Sequence, residues 1–446
     1  MSIPSFTGLN TALRAVQAQQ AALDVVSHNI ANVETPGYSR QEAIFSTTPS
    51  LRLGQGAKSD GTGAQLGTGV EVQSYQRIRD DFLDLQYRAQ SMATGQSDVS
   101  MKRLSVVQSA LATNTDGDLG KLLDNFWSSW QTLSDNPNDA SAKAGVVGTA
   151  QNLAQRFNTL DSDIASTGAQ ATSDLNDMLG SGGPIKPIAD ELAQLNTQIN
   201  QSVGAGVAPN DLLDRRDLLL DQLSQYGQVS VSADPTVGPD GNPAYPGMIQ
   251  VSFGGAATPL VSQTTVAMPT TATLSPTPGG AIQGLQDVAT KTAAYRTTLA
   301  TMASSLISSV NSVTANPVFT GTGANDIAVV ATGATISAGV AGGPVADNSV
   351  ALQLAALRSG TIDQTYAGLV GTIGSDVKNA TSANTTSQSV LDSITQQRTS
   401  TSGVSMDEEM ADMIRFQRGY QAAARALTTM DDMLNQLINS TGRVGL

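Results

Sequence analysis

Near each end of the chain, large apolar residues recur at every seventh position. Leu9, Val16, Leu23 and Ile30 do so between about residues 5 and 31, with Leu13 and Val26 near the intermediate positions. Met406, Met413, Tyr420, Leu427 and Leu434 repeat this at the other end, flanked by Met410, Ala424, Leu437 and Ile438. Such a repeat marks a helix with a narrow seam, not a broad buried face. The first helix would extend about 40 Å at ~1.5 Å per residue. No helix can bury its own seam, so the two are expected to pair, parallel or antiparallel, with each other or with copies of themselves. Ser405 and Glu408 have the spacing of a capping box at the start of the second helix, and Asp407 and Glu409 sit beside its dipole.

The first helix must stop within "SHNIANVETPGYSRQ", residues 27–41. Pro36 disfavours helical geometry at Thr35, and Pro36-Gly37 suits the centre of a type II turn with positive φ at Gly37. Beyond it, Tyr38, Arg40, Glu42 and Ile44 alternate with Ser39, Gln41, Ala43 and Phe45, the period of a strand.

With 446 residues, 40% hydrophobic, the chain can bury real cores, yet aromatic residues make up only 4%, which favours closely packed helices. A net charge of −14 with no Lys/Arg clusters argues against nucleic-acid binding. The absence of cysteine excludes disulfides, zinc thiolates and cysteine nucleophiles. No apolar run reaches the roughly 18 residues of a membrane span, and the first residues lack the pattern of a secretory signal peptide. No membrane or nucleic-acid partner is expected.

The expected fold is mainly α with a small inserted β domain, in a nested plan. Residues 1–50 form the N-terminal helix and turn, and 51–226 a helical body with a Gly-rich loop or hairpin at 54–69. Within that body, Ile78, Phe82, Leu85, Ala89 and Met92 mark one helix, about 99–112 a separate one, and further helices extend to 226. Residues 227–281 read as the small β domain, 282–316 as a long helix, and 317–349 as a Gly-rich, weakly strand-like excursion. Residues 350–402 return to the helical body, and 403–446 hold the C-terminal helix.

Little in the sequence suggests catalysis. His28 is the sole histidine, so no histidine pair can bind metal, and its place near a helix end suits capping of carbonyls. "GTGAQLGTG" has neither the leading strand nor the Lys-Ser/Thr pair of a phosphate loop. Asp80-Asp81 and Asp407 to Glu409 lie near helix starts, and Asp431-Asp432 reads as a solvated face. "DPTVGPDGNP" lacks the spacing of a calcium loop and reads as a turn. In "LLDRRDLLLDQL", Asp214, Arg215, Arg216, Asp217 and Asp221 are spaced for salt bridges within one helix, with Leu212, Leu219 and Leu223 facing the body. No catalytic, cofactor or metal residue is nominated. A wall-active or proteolytic enzyme in the β region would need converging carboxylates or a Ser and Lys, and these are not found.

"NIANVETPGYSRQ" resembles the N-terminal signature of bacterial flagellar rod, hook and hook-associated proteins. Ser39-Arg40-Gln41 after the turn points to the hook-associated branch. The closing stretch "SGVSMDEEMADMIRFQRGYQAAARALTTMDDMLNQLIN" is similar to the last helix of that branch, and "FLDLQYRAQS", "LLDNFWSSWQTLSDNPND", "LLDRRDLLLDQLSQY", "NPVFTGTGAND" and "YAGLVGTIGSDV" follow its order. Longer members carry an extra domain where this chain has only residues 317–349. The resemblance implies a non-enzymatic structural protein at the junction of hook and filament, the alternative being another axial protein of rod or hook. It implies export by the flagellar type III apparatus, a cytosolic chaperone at the C-terminal helix, and a ring of copies on the hook tip. Hook protein and a second hook-associated junction protein would be its neighbours. Leu9, Leu13, Val16, Leu23, Ile30, Met413, Tyr420, Leu427, Leu434 and Ile438 would form the assembly interface. Asn29, Asn32, Pro36, Gly37, Tyr38, Ser39 and Arg40 would form the turn motif that sets the angle to the body.

Overall fold

The computed structural model describes residues 7–53, 64–111, 113, 115–238, 243–344 and 346–441. The centre of the Gly-rich stretch, residues 54–63, lies outside them, as do the side chains of Leu437 and Ile438. The expected class holds: long helices dominate, joined by small antiparallel sheets.

Helix α1 (Thr7–Ala31) is followed by β1 (Gln41–Thr47) and β2 (Leu51–Leu53), then by β3 (Ala64–Leu66) and β4 (Val70–Arg77). β1 pairs antiparallel with β4, Gln41 opposite Arg77, with a bulge between Ile44 and Phe45, and β2 pairs with β3. This ribbon lies along α1, with Gly69 of the ribbon close to Thr11 and Arg14.

The body is built on four long helices: α2 (Asp81–Leu111), α4 (Ala140–Leu179), α7 (Gly280–Asn311) and α9 (Thr361–Ser402), with α3 (Leu119–Asp135) between the first two. α2 is one continuous helix, not two. Gly95 and the serines after it weaken the apolar pattern, but a Cβ at Gly95 would fall 2.1 Å from the Gln225 carbonyl, so the glycine permits a close crossing instead of breaking the helix. α2 and α9 are antiparallel, with Asp84 bonded to Arg398 and Ser97 to Asn384. α4 and α7 are also antiparallel, with Asp161 on Arg296 and Gly168 against Thr292. Trp127, Trp130 and Phe126 of α3 are fully buried, and Phe319 stacks at 5.6 Å on Phe126.

α5 (Ile185–Gly204) and α6 (Asn210–Ser224) lead into the four-stranded antiparallel sheet of β5 (Val229–Ala233), β6 (Ile249–Phe253), β7 (Val261–Ser262) and β8 (Thr265–Val266). Val251, Phe253 and Leu260 of this region join the same apolar core as the helices. Buried Asn196 fastens the sheet to α5 by donating to the Ile249 and Gln263 carbonyls and accepting from the Ile249 N–H. Among the described residues of the Gly-rich excursion the strands are the short pair β9 (Phe319–Thr320) and β10 (Ala328–Val329), and Val318, Phe319, Ile327 and Ile336 are buried in the core. α8 (Ser349–Ala355) precedes α9, and α10 (Met406–Thr441) is the last element.

α10 returns antiparallel along α1. Gly8 faces Met430, Gly419 faces Gln19, and Asn29 bonds Glu409. No helix among the described residues is long and apolar enough to cross a membrane.

Candidate functional site: a polar joint below an uncovered helix pair

Across the seam between α1 and α10, Gly8 meets Met430, Gly419 meets Gln19, and Asn29 bonds Glu409. The residues that α1 buries are Ala12, Ala18, Ala22, Val26 and Asn29. Gly8 and Gly419 leave room for Met430 and Gln19 of the opposite helix. Leu9, Val16, Leu23, Ile30, Met413, Leu427 and Leu434 are half-buried, and Leu13 and Tyr420 are exposed at 44% and 37%. Ile438 lies on α10 with its side chain outside the described residues. A second stripe of α10 faces solvent: Met406, Met410 and Ile414, four apart, the latter two about half exposed at 53% and 50%. Ile414 is absent from the seven-residue reading, although the four-residue spacing would have found it.

The turn sits at the base of this pair. The Tyr38 N–H reaches the Thr35 carbonyl at 3.2 Å, and Gly37 has φ of 81°, as a type II turn requires. Asn32 closes the end of α1, its side chain donating to the His28 carbonyl and accepting from Thr35. His28 does not cap the helix. Its Nδ1 lies 3.0 Å from the Tyr38 hydroxyl, and its Nε2 lies 3.7 Å from Asp211.

Asn29, 1% exposed, is the hub. Its Nδ2 donates to the Gln41 carbonyl at 2.9 Å and to Glu409 Oε2 at 3.0 Å, and its Oδ1 accepts from Tyr38 Oη at 2.8 Å and from the Gln41 N–H at 3.0 Å. One side chain thereby ties together α1, the turn, β1 and α10. The next three residues point elsewhere. The Ser39 N–H donates to Asp214 on α6, the Arg40 N–H to the Ser402 carbonyl at the end of α9, and Gln41 Nε2 to Asp211. Glu408, expected to fold back in a capping box, instead accepts from Arg40 Nη1 at 2.7 Å.

Beneath Ser39 lies a network that the sequence did not disclose. The aspartates of α6 do not pair along their own helix. Asp214, Asp217 and Asp221 share one face and meet arginines from β4, α2, α9 and the segment between β4 and α2. Arg77 binds Asp214 and Asp217, Arg79 binds Asp84 and Asp217, Arg88 binds Asp217 and Asp221, and Arg398 binds Asp84 and Asp221, all within 2.6–3.4 Å. Arg79 also reaches Ser39 Oγ at 3.3 Å, so the turn engages both signs of the network. Of the expected α6 leucines, Leu219 and Leu223 are buried and Leu212 is half-buried. Asp80 caps α2 by accepting from the Phe82 and Leu83 N–H groups.

Burial opposes ionisation of Asp217, but Arg79 and Arg77 outweigh it and hold the carboxyl below its ordinary range. Glu409 shifts the other way, raised by burial in spite of Asn29 and Arg40. Burial, with Asp211, Asp214 and Glu409 nearby, raises the Tyr38 hydroxyl too. A raised acid means that the fold binds the proton more tightly than the unfolded chain does. Stability at this position therefore increases as pH falls from above the folded pKa towards the ordinary value of about 4.3. Glu409→Gln keeps an acceptor for Asn29 and should abolish this limb without destabilising the pair at neutral pH, as thermal melts between pH 4 and 8 will show.

The network's carboxylates are each held by guanidinium groups, an arrangement that fixes geometry and offers no free base. Among the described residues, no three His, Cys, Asp or Glu side chains are grouped to hold a metal ion.

Residues 104–327 match the family model described as the flagellar hook-associated protein FlgK helical domain. Residues 9–38 match that of flagella basal body rod protein, and 395–440 that of the flagellar basal body rod FlgEFG protein C-terminal. The two outer matches thus fall on the paired terminal helices. Flagellar hook-associated protein 1 of Bacillus subtilis is 31% identical, covering 98% of this chain and 99% of that protein. The alignment runs over 505 positions, so the relative has segments that this chain of 446 residues lacks. The Salmonella typhimurium protein of the same name is 36% identical over 50% of this chain and 39% of its own. A solved structure titled as the flagellar hook junction protein FlgK from Burkholderia pseudomallei overlaps 52% of this chain and 43% of that one at 24% identity, with a TM-score of 0.42.

Proposed function

Because this chain belongs to the flagellar hook-associated protein 1 family, we propose that it is a structural, non-enzymatic subunit of the bacterial flagellum that joins hook to filament. The observation that carries this reading is the terminal helix pair, which leaves its large apolar stripes only partly covered. Burying a Leu-sized side chain fully is worth ~1.5–3 kcal/mol, and this pair realises only part of that gain. Neighbouring helix pairs would supply the rest, which couples stability to assembly.

The partners follow from this reading: copies of the chain in a ring on the hook tip, hook protein below, and a second hook-associated junction protein above. Before assembly the chain would be cytoplasmic. A cytosolic chaperone would hold α10, covering the same half-exposed stripe, until the flagellar type III apparatus exports it. The Pro36-Gly37 turn and the Asn29 hub would then set the angle between the axial pair and the body.

Leu427 lies half-buried on the flank of α10. Leu427→Asp is expected to leave the melting transition of the body unchanged and to prevent both chaperone capture and incorporation. Immunogold labelling of isolated hooks reads the outcome. Normal labelling of the mutant at the hook-filament boundary would sink the assignment, and wild-type label along the whole hook or within the envelope would favour a hook or rod protein.

A further inference from the structure

Where β4, α2, α6 and β5 meet, the body opens into a groove of about 760 Å³. Leu85, Tyr75 and Val231 line it, and Phe82 stands one helical turn before Leu85 on the same face of α2. Phe82 and Leu85 are each 65% exposed, more than any other large aromatic or leucine among the described residues. The groove is also lined by Asp81, Asp84 and Asp217 and by four arginines. Arg77, Arg79 and Arg88 have aspartate partners, as described above. Arg216 has none. Its Nη1 donates to the Gly247 carbonyl at 3.1 Å, its Nε is buried with no hydrogen-bond partner, and it forms no ion pair among the described residues. Burial pulls the pKa of this guanidinium down, and the neighbouring Arg77, Arg88 and Arg79 add to that against the opposing charge of Asp217, which makes no direct ion pair with it.

The complementary feature lies on the same chain. On α10 the exposed stripe of Met406, Met410 and Ile414 is flanked by Asp407. Glu408 and Glu409 are engaged with Arg40 and Asn29, whereas Asp407 forms no ion pair among the described residues. A carboxylate beside an apolar stripe and a cation beneath an apolar rim fit one another in charge and polarity. In a single chain they remain unpaired, and as two different surfaces they define a head-to-tail contact, the kind that closes into rings.

We propose that Arg216 receives the Asp407 carboxylate of a second copy of this chain, while that copy's Met406, Met410 and Ile414 cover Phe82 and Leu85. The contact rests on the assembly role argued above and names the residues that would join one subunit to the next.

Two experiments on the full chain, expressed in cells deleted for their own copy, test it. Arg216→Glu and Asp407→Arg should each lower the fraction of labelled hooks by about tenfold or more, as expected for one side of a desolvated charge pair. The double variant should return to within about twofold of wild type. Singles that assemble normally, or a double no better than the worse single, overturn the contact. Because the chain has no cysteine, Leu85→Cys with Met410→Cys gives a clean second readout independent of charge. Oxidation of assembled flagella should yield linked multimers of this chain, and monomers only, or links to a different protein, overturn it. Wild-type label missing from the hook tip counts against the junction role itself, whereas wild-type label in place without cross-links counts against the groove alone.

Discussion

Asn29→Ala should be among the most damaging single substitutions in the terminal pair, lowering its stability by about 3–5 kcal/mol. The substitution removes one donor and one acceptor that between them serve the Gln41 N–H, the Gln41 carbonyl, the Tyr38 hydroxyl and Glu409. Each buried group left unsatisfied costs about 1–3 kcal/mol, the charged one most. Tyr38 keeps His28 as a neighbour, which moderates its share. Hydrogen exchange separates this loss from a general one. Amides of α1 and α10 should exchange roughly 100-fold or more faster, while those of α3, α4 and α7 keep their protection. Equal acceleration everywhere would mean that Asn29 supports the body and not the joint. Asn29→Asp should behave at least as badly at neutral pH, since it sets a second carboxylate against Glu409, and it should recover partly on acidification as the pair takes up a proton.

What the sequence discloses depends on whether a contact leaves a periodic trace. The seven-residue repeats of Leu9, Val16, Leu23 and Ile30 and of Met413, Tyr420, Leu427 and Leu434 correctly mark long terminal helices that meet. They carry no trace of Gly8 and Gly419, which leave room for Met430 and Gln19 across the pair, because glycine adds little to a hydropathy pattern. Pro36-Gly37 is legible because one turn type demands those two residues in that order. Gly95 misleads for the opposite reason, since within α2 it serves a helix crossing and looks like a break.

The polar part of the site is harder to foresee. Asp84, Asp214 and Asp221 take arginines from positions as far apart as Arg77 and Arg398, and no local spacing records such pairings. The one local clue is that Asp214, Asp217 and Asp221 fall on a single helical face, too many carboxylates to leave side by side without cations brought from elsewhere. Ser39-Arg40-Gln41 shows how a short motif carries long-range information. Ser39 reaches α6, Arg40 the end of α9, and Gln41 both α6 and the Asn29 hub.

Asp217→Ala is expected to cost the body about 3–5 kcal/mol, the range for breaking a buried ion pair from one side. Arg77, Arg79 and Arg88 all lie within 3.0–3.4 Å of this carboxylate, and the substitution leaves three guanidiniums facing each other with one fewer counter-charge. Asp217→Asn, which can still accept hydrogen bonds, should cost less, and the difference between the two isolates the charge. The pH dependence gives a second check. A carboxyl whose folded pKa is depressed contributes stability that is fully present above its unfolded value of about 3.9 and is lost as pH falls through the lower folded value. The acid limb of the wild-type stability curve should therefore flatten in Asp217→Ala. Glu409 acts in the opposite sense and at higher pH, because its folded pKa is raised. Mild acid should thus tighten the joint between α1 and α10 before stronger acid loosens the network beneath Ser39. Urea midpoints followed from pH 7 to pH 3 should show both limbs in the wild type, a shallower upper limb in Glu409→Gln, where Asp363 keeps a raised carboxyl, and a shallower lower limb in Asp217→Ala, where Asp326, Asp347 and Asp376 keep lowered ones.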